Sequence, residues 1–233
     1  MSKNVGLALV NVPEETLGMS RFIFNHCGVD VQPVPVKELR DERTLRSFRA
    51  ILFPGGGAEL YHRDLGPAGI EGLKRYVAAG GGCVGICAGC TFLLEIGLLT
   101  GRVFNMPGLG VYRLQNRKPH PIFRDHATGS ISMLRINGPL IEVQAPTRSI
   151  ADYDPSGRYA CIVVRSIGKG RVVGFSAHPE GGLAWGGGDY NPWFYFDGKV
   201  QNTVPMLHQA LAWVQETKRK SRNNPEERKR NEE

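Results

Sequence analysis

The sequence has no long hydrophobic run, although 41% of its 233 residues are hydrophobic. The apolar run nearest to the start covers only residues 5–10, within the segment MSKNVGLALVNVPEE. A signal peptide needs a longer apolar core, and a membrane-spanning helix needs about 20 apolar residues. We therefore interpret residues 5–10 as a first β-strand, and we expect a cytoplasmic protein without a membrane segment.

Cysteine is also scarce, since the chain has only five, an odd number. Small secreted domains that depend on disulfides are much richer in cysteine and usually carry an even number. We therefore expect all five thiols to stay reduced. Three of them, Cys83, Cys87 and Cys90, fall within eight positions in the stretch GGCVGICAGC. That clustering suggests one of three explanations: a metal or redox cluster, one nucleophilic cysteine beside two that take no part in the chemistry, or packing in the core.

Most of the chain lacks a strong excess of one charge. Of the formal net charge of +7, residues 218–233 carry +3 and the remainder carries +4. This final stretch has no apolar residue to pack, so we predict a basic disordered tail after one folded domain over residues 1–217. No aromatic residue lies between its charges to stack on bases. The composition of the tail therefore favours a solvated extension over a contact with nucleic acid.

Strand and helix signals alternate through the first half of the chain. Apolar runs typical of strands buried on both faces are separated by segments with apolar residues at helical spacing. The predicted elements are a strand at 5–10, a helix at 17–27, an edge strand at 29–36, a short charged helix at 37–48, a strand at 50–53, a helix ending at 80–82, a strand at 83–86 and a helix at 88–97. Such alternation is typical of an α/β fold with a doubly wound, mostly parallel sheet.

The second half of the chain contains strand-like segments without helices between them. Residues 159–166 and 171–177 are joined by IGKG, which is a hairpin signal. We predict antiparallel strands that extend the edge of the sheet or form a small flap. Thr203 is the predicted N-cap of a closing helix, whose apolar face is formed by Val204, Leu207, Leu211 and Val214.

A metal cluster is a poor explanation for the three cysteines. If residues 83–86 form a strand, Cys83 lies about 13 Å from Cys87 at roughly 3.3 Å per residue. Zinc ligands lie about 2.3 Å from the ion, so these two thiols cannot share one. We expect neither a metal nor another cofactor.

The segment Gly85-Ile86-Cys87-Ala88-Gly89 favours the second explanation. A nucleophile with glycines two positions before and after it, between a buried strand and a helix, is the pattern of a nucleophile elbow with Cys in place of Ser. The helix N-terminus favours the thiolate through its dipole and free N–H groups. Glycine-rich strand–helix turns also bind phosphate or simply allow close packing, and the pattern alone leaves these alternatives open.

Two further segments supply partners for a cysteine nucleophile. The strand at 171–177 ends in His178-Pro179-Glu180, where the imidazole could act as the base and Glu180 could orient it. A histidine before proline is equally typical of a plain turn. Residues 54–57, PGGG, follow the strand at 50–53, so the N–H groups of Gly55 and Gly56, with that of Ala88, could stabilise an oxyanion. An ordinary strand–helix turn is the alternative for them.

Together, in this order, the segments 53–89 and 161–180 resemble the class I glutamine amidotransferase superfamily, and within it most closely the biotin–protein ligase N-terminal-domain-like family. The resemblance implies a flavodoxin-like sheet and a catalytic triad of Cys87, His178 and Glu180. It does not imply biotin as a substrate.

One position departs from the glutamine-using members of that superfamily. Their elbow continues Gly-x-Cys-x-Gly-x-Gln, whereas this chain has Thr91 in place of the glutamine. We therefore expect free glutamine to be a poor substrate. No ammonia-accepting domain follows in the sequence, so any such partner is expected to be a separate enzyme.

Other residues have side chains suited to chemistry, but each also has a simpler explanation. His62 is a candidate substrate contact, or else a residue of a surface turn. His120 and His126 are six residues apart in a loop-rich stretch, and we expect them to be solvated. The aromatic and glycine-rich segment at 181–198 is either a wall or lid over the site or a surface that packs on the closing helix.

The leading hypothesis is a thiol-dependent hydrolase or amidotransferase-like enzyme that acts on a small amide or acyl substrate through Cys87, His178 and Glu180. The alternative is a non-catalytic small-molecule-binding or regulatory module that retains the amidotransferase-like pocket. A third possibility is a nucleic-acid adaptor that binds through residues 218–233.

Overall fold

The computed structural model describes residues 7–11, 28, 30–126, 130–181 and 201–216. Three predicted features lie outside the described residues. They are the helix at 17–27, most of the aromatic segment at 181–198, and the basic tail at 218–233. The domain division at residue 217 therefore stays a prediction.

Within the described residues, nine strands form the main sheet and two form a small separate sheet. The strands are β1 (Leu7–Asn11), β2 (Gln32–Pro35), β3 (Ala50–Phe53), β4 (Gly82–Ile86), β5 (Gly101–Phe104), β6 (Leu109–Arg113), β7 (Ser132–Ile136), β8 (Leu140–Val143), β9 (Arg148–Asp152), β10 (Ala160–Ile167) and β11 (Gly170–Phe175). The main sheet has the order β2-β1-β3-β4-β11-β10-β8-β5, and β9 also pairs with β10.

The sheet is parallel from β2 to β11 and antiparallel beyond it. This confirms the predicted mostly parallel α/β sheet with an antiparallel extension. Both arrangements predicted for the second half of the chain, an extension of the sheet and a small separate flap, are present. Strands β5, β8, β9 and β10 extend the sheet, whereas β6 and β7 pair with each other in the separate sheet. The predicted hairpin joins β10 to β11 and turns at Gly168, whose φ of 55° suits a glycine.

The helices are α1 (Glu42–Ser47), α2 (Ala58–Ala79), α3 (Ala88–Glu95) and α4 (Val204–Gln215). None of the helices that the structure describes is long and apolar enough to span a membrane. The single charged helix predicted at 37–48 is wrong, because the segment divides into a 3₁₀ turn (Val36–Arg40) and α1. Asp41 separates them with an extended backbone, and its carboxylate accepts the N–H of Arg43 as an N-cap.

Helices cover both faces of the parallel strands. In β3, Ala50 and Leu52 pack in the cluster that contains the apolar face of α4, while Ile51 and Phe53 pack in the cluster that contains α2 and α3. Burial on both faces explains why these strands are continuous apolar runs in the sequence. It also leaves the ends of the strands as the place where polar groups can meet a ligand.

Candidate active site

Three adjacent parallel strands bring the three predicted motifs to one edge of the sheet. Phe53, at the end of β3, pairs with Gly85 of β4, and Phe175, at the end of β11, pairs with Ile86 of β4. The segments that follow these strands are therefore neighbours, although they are far apart in sequence. They are the glycine loop after β3, Cys87 after β4, and His178 after β11.

Cys87 occupies a strained backbone conformation between β4 and α3. Its φ of 51° and ψ of −111° lie in a region that non-glycine residues rarely adopt. Such a residue costs of order 1–3 kcal/mol and is typical of functional sites. The N–H of Cys87 donates to the carbonyl oxygen of Phe175 at 2.8 Å, which holds the turn against β11.

The two glycines of the elbow are required by close backbone approach. A Cβ on Gly85 would lie 2.6 Å from the carbonyl group of Gly89. A Cβ on Gly89 would lie 2.1 Å from the carbonyl oxygen of Phe53. Real Cβ atoms do not approach other atoms this closely, so α3 can begin where it does only with glycine at both positions.

His178 and Glu180 form a buried pair. The imidazole Nδ1 lies 2.8 Å from Oε1 of Glu180, and the two side chains are 3% and 0% exposed. The N–H of His178 donates to the carbonyl oxygen of Leu134 in β7 at 2.7 Å. The hydroxyl of Thr203 donates to the carbonyl oxygen of Pro179 at 2.7 Å. The histidine backbone is therefore held from both sides.

Thr203 is predicted to cap the closing helix, but its side chain contacts Pro179 instead. Thr203 stands at the N-cap position of α4, but its side chain makes no capping hydrogen bond. The side-chain oxygen of Asn202 instead accepts the N–H of Val204. The Thr203 hydroxyl thus connects α4 to the segment that carries His178.

The Cys87 thiol and the His178 ring line the same small gap. A Cβ built on Gly55 would lie 3.6 Å from Cβ of Cys87 and 3.2 Å from Cε1 of His178, so Gly55 leaves the space between them open. The thiol donates to the carbonyl oxygen of Ile136 at 3.4 Å. Within the described part of the chain, the buried Nε2 of His178 and Oε2 of Glu180 have no hydrogen-bond partner.

The charges around His178 favour its protonated form. Burial alone would lower the pKa of His178, but the negative charge of Glu180, and that of Cys87 when it is a thiolate, outweigh burial and raise that pKa well above its usual range. A protonated imidazole next to a sulfur nucleophile is the arrangement needed to deliver a proton to a leaving group.

The predicted oxyanion donors lie beside this gap. Ala88 is the first residue of α3, so its N–H has no partner within the helix. Gly56 is exposed and has a φ of 141°, a conformation that suits glycine. The carbonyl oxygen of Pro54 accepts the N–H of Gly89 at 3.2 Å and the Tyr61 hydroxyl at 2.8 Å. The glycine loop is therefore tied to the helix that carries Ala88.

His62 and Thr91 have different surroundings. His62 lies on α2, with Nε2 2.9 Å from Oε2 of Glu95 and its ring edge-on to Phe92. Glu95 is eight residues beyond Cys87, about 12 Å along a helix axis. These contacts account for the position of the His62 side chain without a substrate.

Thr91 is half-buried on the first turn of α3, and its hydroxyl donates to the carbonyl oxygen of Cys87 at 3.4 Å.

The remaining described cysteines are unsuited to nucleophilic attack. Cys83, Cys90 and Cys161 are completely buried, and burial raises the pKa of each thiol. Among the residues that the structure describes, no group of three or more His, Cys, Asp or Glu side chains could hold a metal ion.

His120 is not the solvated residue that we expected. It is partly buried, its ring stacks edge-on against Trp213 of α4 at 4.8 Å, and its Nδ1 accepts the N–H of Ile122. Burial, reinforced by the charges of Arg148 and Arg171, lowers the pKa of His120 to about 4. The side chain of His126 lies outside the described residues.

This shift predicts that His120 weakens the fold in acid. Between about pH 6.5 and pH 4 the unfolded chain binds a proton at this position and the folded chain does not, so the free energy of unfolding falls as the pH falls. Urea denaturation at several pH values should show a smaller acid loss for His120→Gln than for the unaltered protein. Parallel pH profiles for the two proteins would contradict this reading.

Known proteins resemble this chain in sequence and in fold. A family model described as the N-terminal part of biotin-protein ligase matches residues 13–95. The phosphoribosylformylglycinamidine synthase subunit PurQ of Thermus thermophilus is 27% identical over 192 residues, which cover 69% of this chain and 82% of that protein. By these matches the chain is similar to class I glutamine amidotransferase-like proteins.

Solved structures show the same fold for this chain. The structure of PurLQS from Thermotoga maritima matches with a TM-score of 0.63 at 16% identity, covering 89% of this chain and 98% of that one. A glutamine amidotransferase structure matches with a TM-score of 0.61 at 17% identity, covering 90% and 98% of the two chains. The resemblance and the fold class predicted from the sequence are thereby confirmed.

The carbonyl groups that face the site were missed by sequence reasoning. Ile136 and Leu134 belong to β7, which is in the separate two-stranded sheet, and their carbonyl oxygens contact Cys87 and His178. Every residue has a carbonyl group, so no side-chain pattern could mark these two. The only available signal was the prediction that part of the second half forms a flap.

Proposed function

We propose that this protein is a thiol-dependent amidase with amidotransferase-like chemistry, acting on a small amide or related acyl substrate. The proposal is carried by the buried His178–Glu180 pair, with 2.8 Å between Nδ1 and Oε1, beside a cysteine at a strained strand–helix turn. A buried carboxylate that engages one imidazole nitrogen leaves only the other for proton transfer.

In the first half of the proposed reaction, the Cys87 thiol gives its proton to Nε2 of His178. The resulting thiolate attacks the carbonyl carbon of the substrate, and the C=O electron pair moves onto oxygen. The N–H groups of Gly56 and Ala88, with that of Gly55 as a further candidate, stabilise the resulting oxyanion. When the C–N bond breaks, Nε2 of His178 gives its proton to the leaving nitrogen. The products are an amine, or ammonia, and a thioester on Cys87.

In the second half, water attacks the thioester carbon. His178 accepts the proton of the water, and the sulfur of Cys87 leaves as a thiolate, which releases a carboxylic acid. Glu180 keeps the imidazole in one orientation and stabilises its charged form in both halves. The reaction requires neither a metal nor a cofactor.

A separate partner enzyme is part of the proposal. The Thermus thermophilus relative is a subunit of a synthase, and PurLQS is the name of the matching Thermotoga maritima structure. By analogy, ammonia released at Cys87 would be passed to a different protein. The match to the N-terminal part of biotin-protein ligase covers only residues 13–95 and carries no argument for biotin as a substrate.

A library of small amides incubated with the full chain and read by mass spectrometry tests the proposed activity. We expect at least one amide to be hydrolysed by the unaltered protein and not by Cys87→Ser. An acyl group on Cys87, trapped by rapid acid quenching, would identify the intermediate. If no amide is consumed and an electrophilic amide analogue fails to label Cys87, the protein is better described as a binding or regulatory module.

Free glutamine is expected to be a poor substrate. Thr91 has one hydroxyl on a short stem and donates it to the carbonyl oxygen of Cys87, whereas a glutamine side chain offers two donors and an acceptor on a longer stem. Loss of one or two substrate hydrogen bonds costs on the order of 1–3 kcal/mol, or roughly a ten- to hundredfold loss of kcat/KM.

A coupled assay for ammonia release from millimolar glutamine measures this directly, with Cys87→Ser as the blank. Thr91→Gln is the informative variant, and it should increase the rate if the side chain at this position holds the substrate. Rapid, Cys87-dependent hydrolysis of glutamine by the unaltered protein, without a partner, would contradict the prediction.

A further inference from the structure

A large cavity lies away from Cys87 in the described part of the chain. Its volume is about 890 Å³, and it opens at the amino end of β4 and β11, next to the end of α2. Cys87 follows the carboxyl end of β4, so the two places are separated by the length of the strand, about 16 Å. We call this space the arginine cavity; its charged lining residues are Glu42, Arg46, Arg49, Arg75, Arg171 and Glu216.

Positive charge dominates the arginine cavity, with four guanidinium groups against two carboxylates. Arg46 and Arg75 share one carboxylate, because Oε2 of Glu42 lies 3.1 Å from Arg46 and Oε1 lies 2.6 Å from Arg75. Within the described residues, the Arg49 side chain has no carboxylate partner. The cavity thus keeps guanidinium donors available to an anion.

Two of the arginines are positioned by fixed partners. Arg171 donates to the carbonyl oxygen of Trp213 at 2.7 Å, and its guanidinium lies 4.9 Å from the centre of the Trp213 ring. Glu42 holds Arg75 through both Nε and Nη2. Because these side chains already have hydrogen-bond partners, binding of an anion to them should remove less arginine side-chain entropy than binding to free arginines would.

One wall of the arginine cavity is apolar and depends on the glycine run at 80–82. A Cβ on Gly81 would lie 2.2 Å from the Tyr76 ring, so glycine is required for that ring to pack flat against the turn. The Tyr76 hydroxyl donates to the carbonyl oxygen of Phe48 at 3.2 Å, and both aromatic side chains line the cavity.

We propose that the arginine cavity binds a small phosphorylated molecule of nucleotide size. Guanidinium groups bind phosphate oxygens through paired N–H donors, and Arg49 is the group expected to do so. Arg75, whose Nε and Nη2 donate to Glu42, adds positive charge beside it. The Tyr76–Phe48 wall contacts the organic part of the ligand. The volume is within the range of small-molecule sites, about 300–1,000 Å³. This site is independent of the proposed chemistry at Cys87.

Calorimetric titration of the full chain with ADP and with inorganic pyrophosphate, at low ionic strength, tests the proposal. We expect saturable binding of both probes, with ADP the tighter because it also reaches the aromatic wall. The double variant Arg49→Gln/Arg75→Gln should bind at least about tenfold more weakly. Arg113→Gln, at an exposed arginine of β6 outside the cavity, is the matched control and should bind as the unaltered protein does.

Cys87→Ser separates this proposal from the proposed amidase, because it should remove hydrolysis and leave ADP binding unchanged. Thermal unfolding without ligand confirms that each variant is folded. The proposal is overturned if neither probe binds saturably, if the double variant binds as tightly as Arg113→Gln, or if a single-stranded oligonucleotide binds while ADP and pyrophosphate do not.

Discussion

Limiting iodoacetamide at neutral pH is expected to alkylate Cys87 about a hundredfold or more faster than Cys83, Cys90 or Cys161. Cys87 is only partly buried, whereas the other three are 0% exposed and react only when the surrounding structure opens. Burial also raises the pKa of Cys161 to about 12, which leaves very little of its reactive thiolate at neutral pH.

Peptide mapping by mass spectrometry measures all five sites at once, including Cys27, which lies outside the described residues. In denaturant the five cysteines should react at similar rates, which serves as the control. Glu180→Gln removes the charge that holds a proton on His178, so alkylation of Cys87 should slow by roughly tenfold. Faster labelling of any other cysteine in the native protein would remove Cys87 as the nucleophile.

The second large effect is expected for Gly89→Ala. The added Cβ would lie 2.1 Å from the carbonyl oxygen of Phe53, so the backbone of β3 or of α3 must move. Overpacking of this kind typically costs about 1–3 kcal/mol, occasionally more, and backbone cannot give way as a flexible side chain can. We therefore expect a loss of about 3 kcal/mol in the free energy of unfolding, together with slower alkylation of Cys87.

Gly72→Ala is the matched control, because Gly72 is also a helical glycine but has more room. A Cβ there would lie 3.6 Å or more from any other atom, and alanine favours a helix over glycine by about 1 kcal/mol. This variant should unfold at the same or a higher urea concentration and retain Cys87 reactivity. If Gly89→Ala proved as stable as Gly72→Ala, tight packing could not be the reason for glycine at the elbow.

The parallel half of the fold could be predicted from the sequence because its signals are local. The apolar run at 50–53 is β3 to the residue, and the predicted helix that begins at Ala88 is α3. A strand buried on both faces needs a continuous apolar run, and a sharp strand–helix turn needs glycine. The single helix predicted at 37–48 is wrong for an equally local reason, because the side chain of Asp41 caps a new helix in the middle of that segment.

The sequence by itself determined the class of fold and singled out the candidate nucleophile, base and orienting residues. Only the tertiary structure decided what surrounds them. The carbonyl oxygen of Ile136 contacts a thiol 49 residues away, and Thr203 contacts Pro179 across 24 residues. Such contacts depend on which strands become neighbours and on backbone groups that every residue has, so no local pattern encodes them. Side-chain spacing along the chain predicts chemistry, whereas the packing of distant segments sets the environment in which that chemistry takes place.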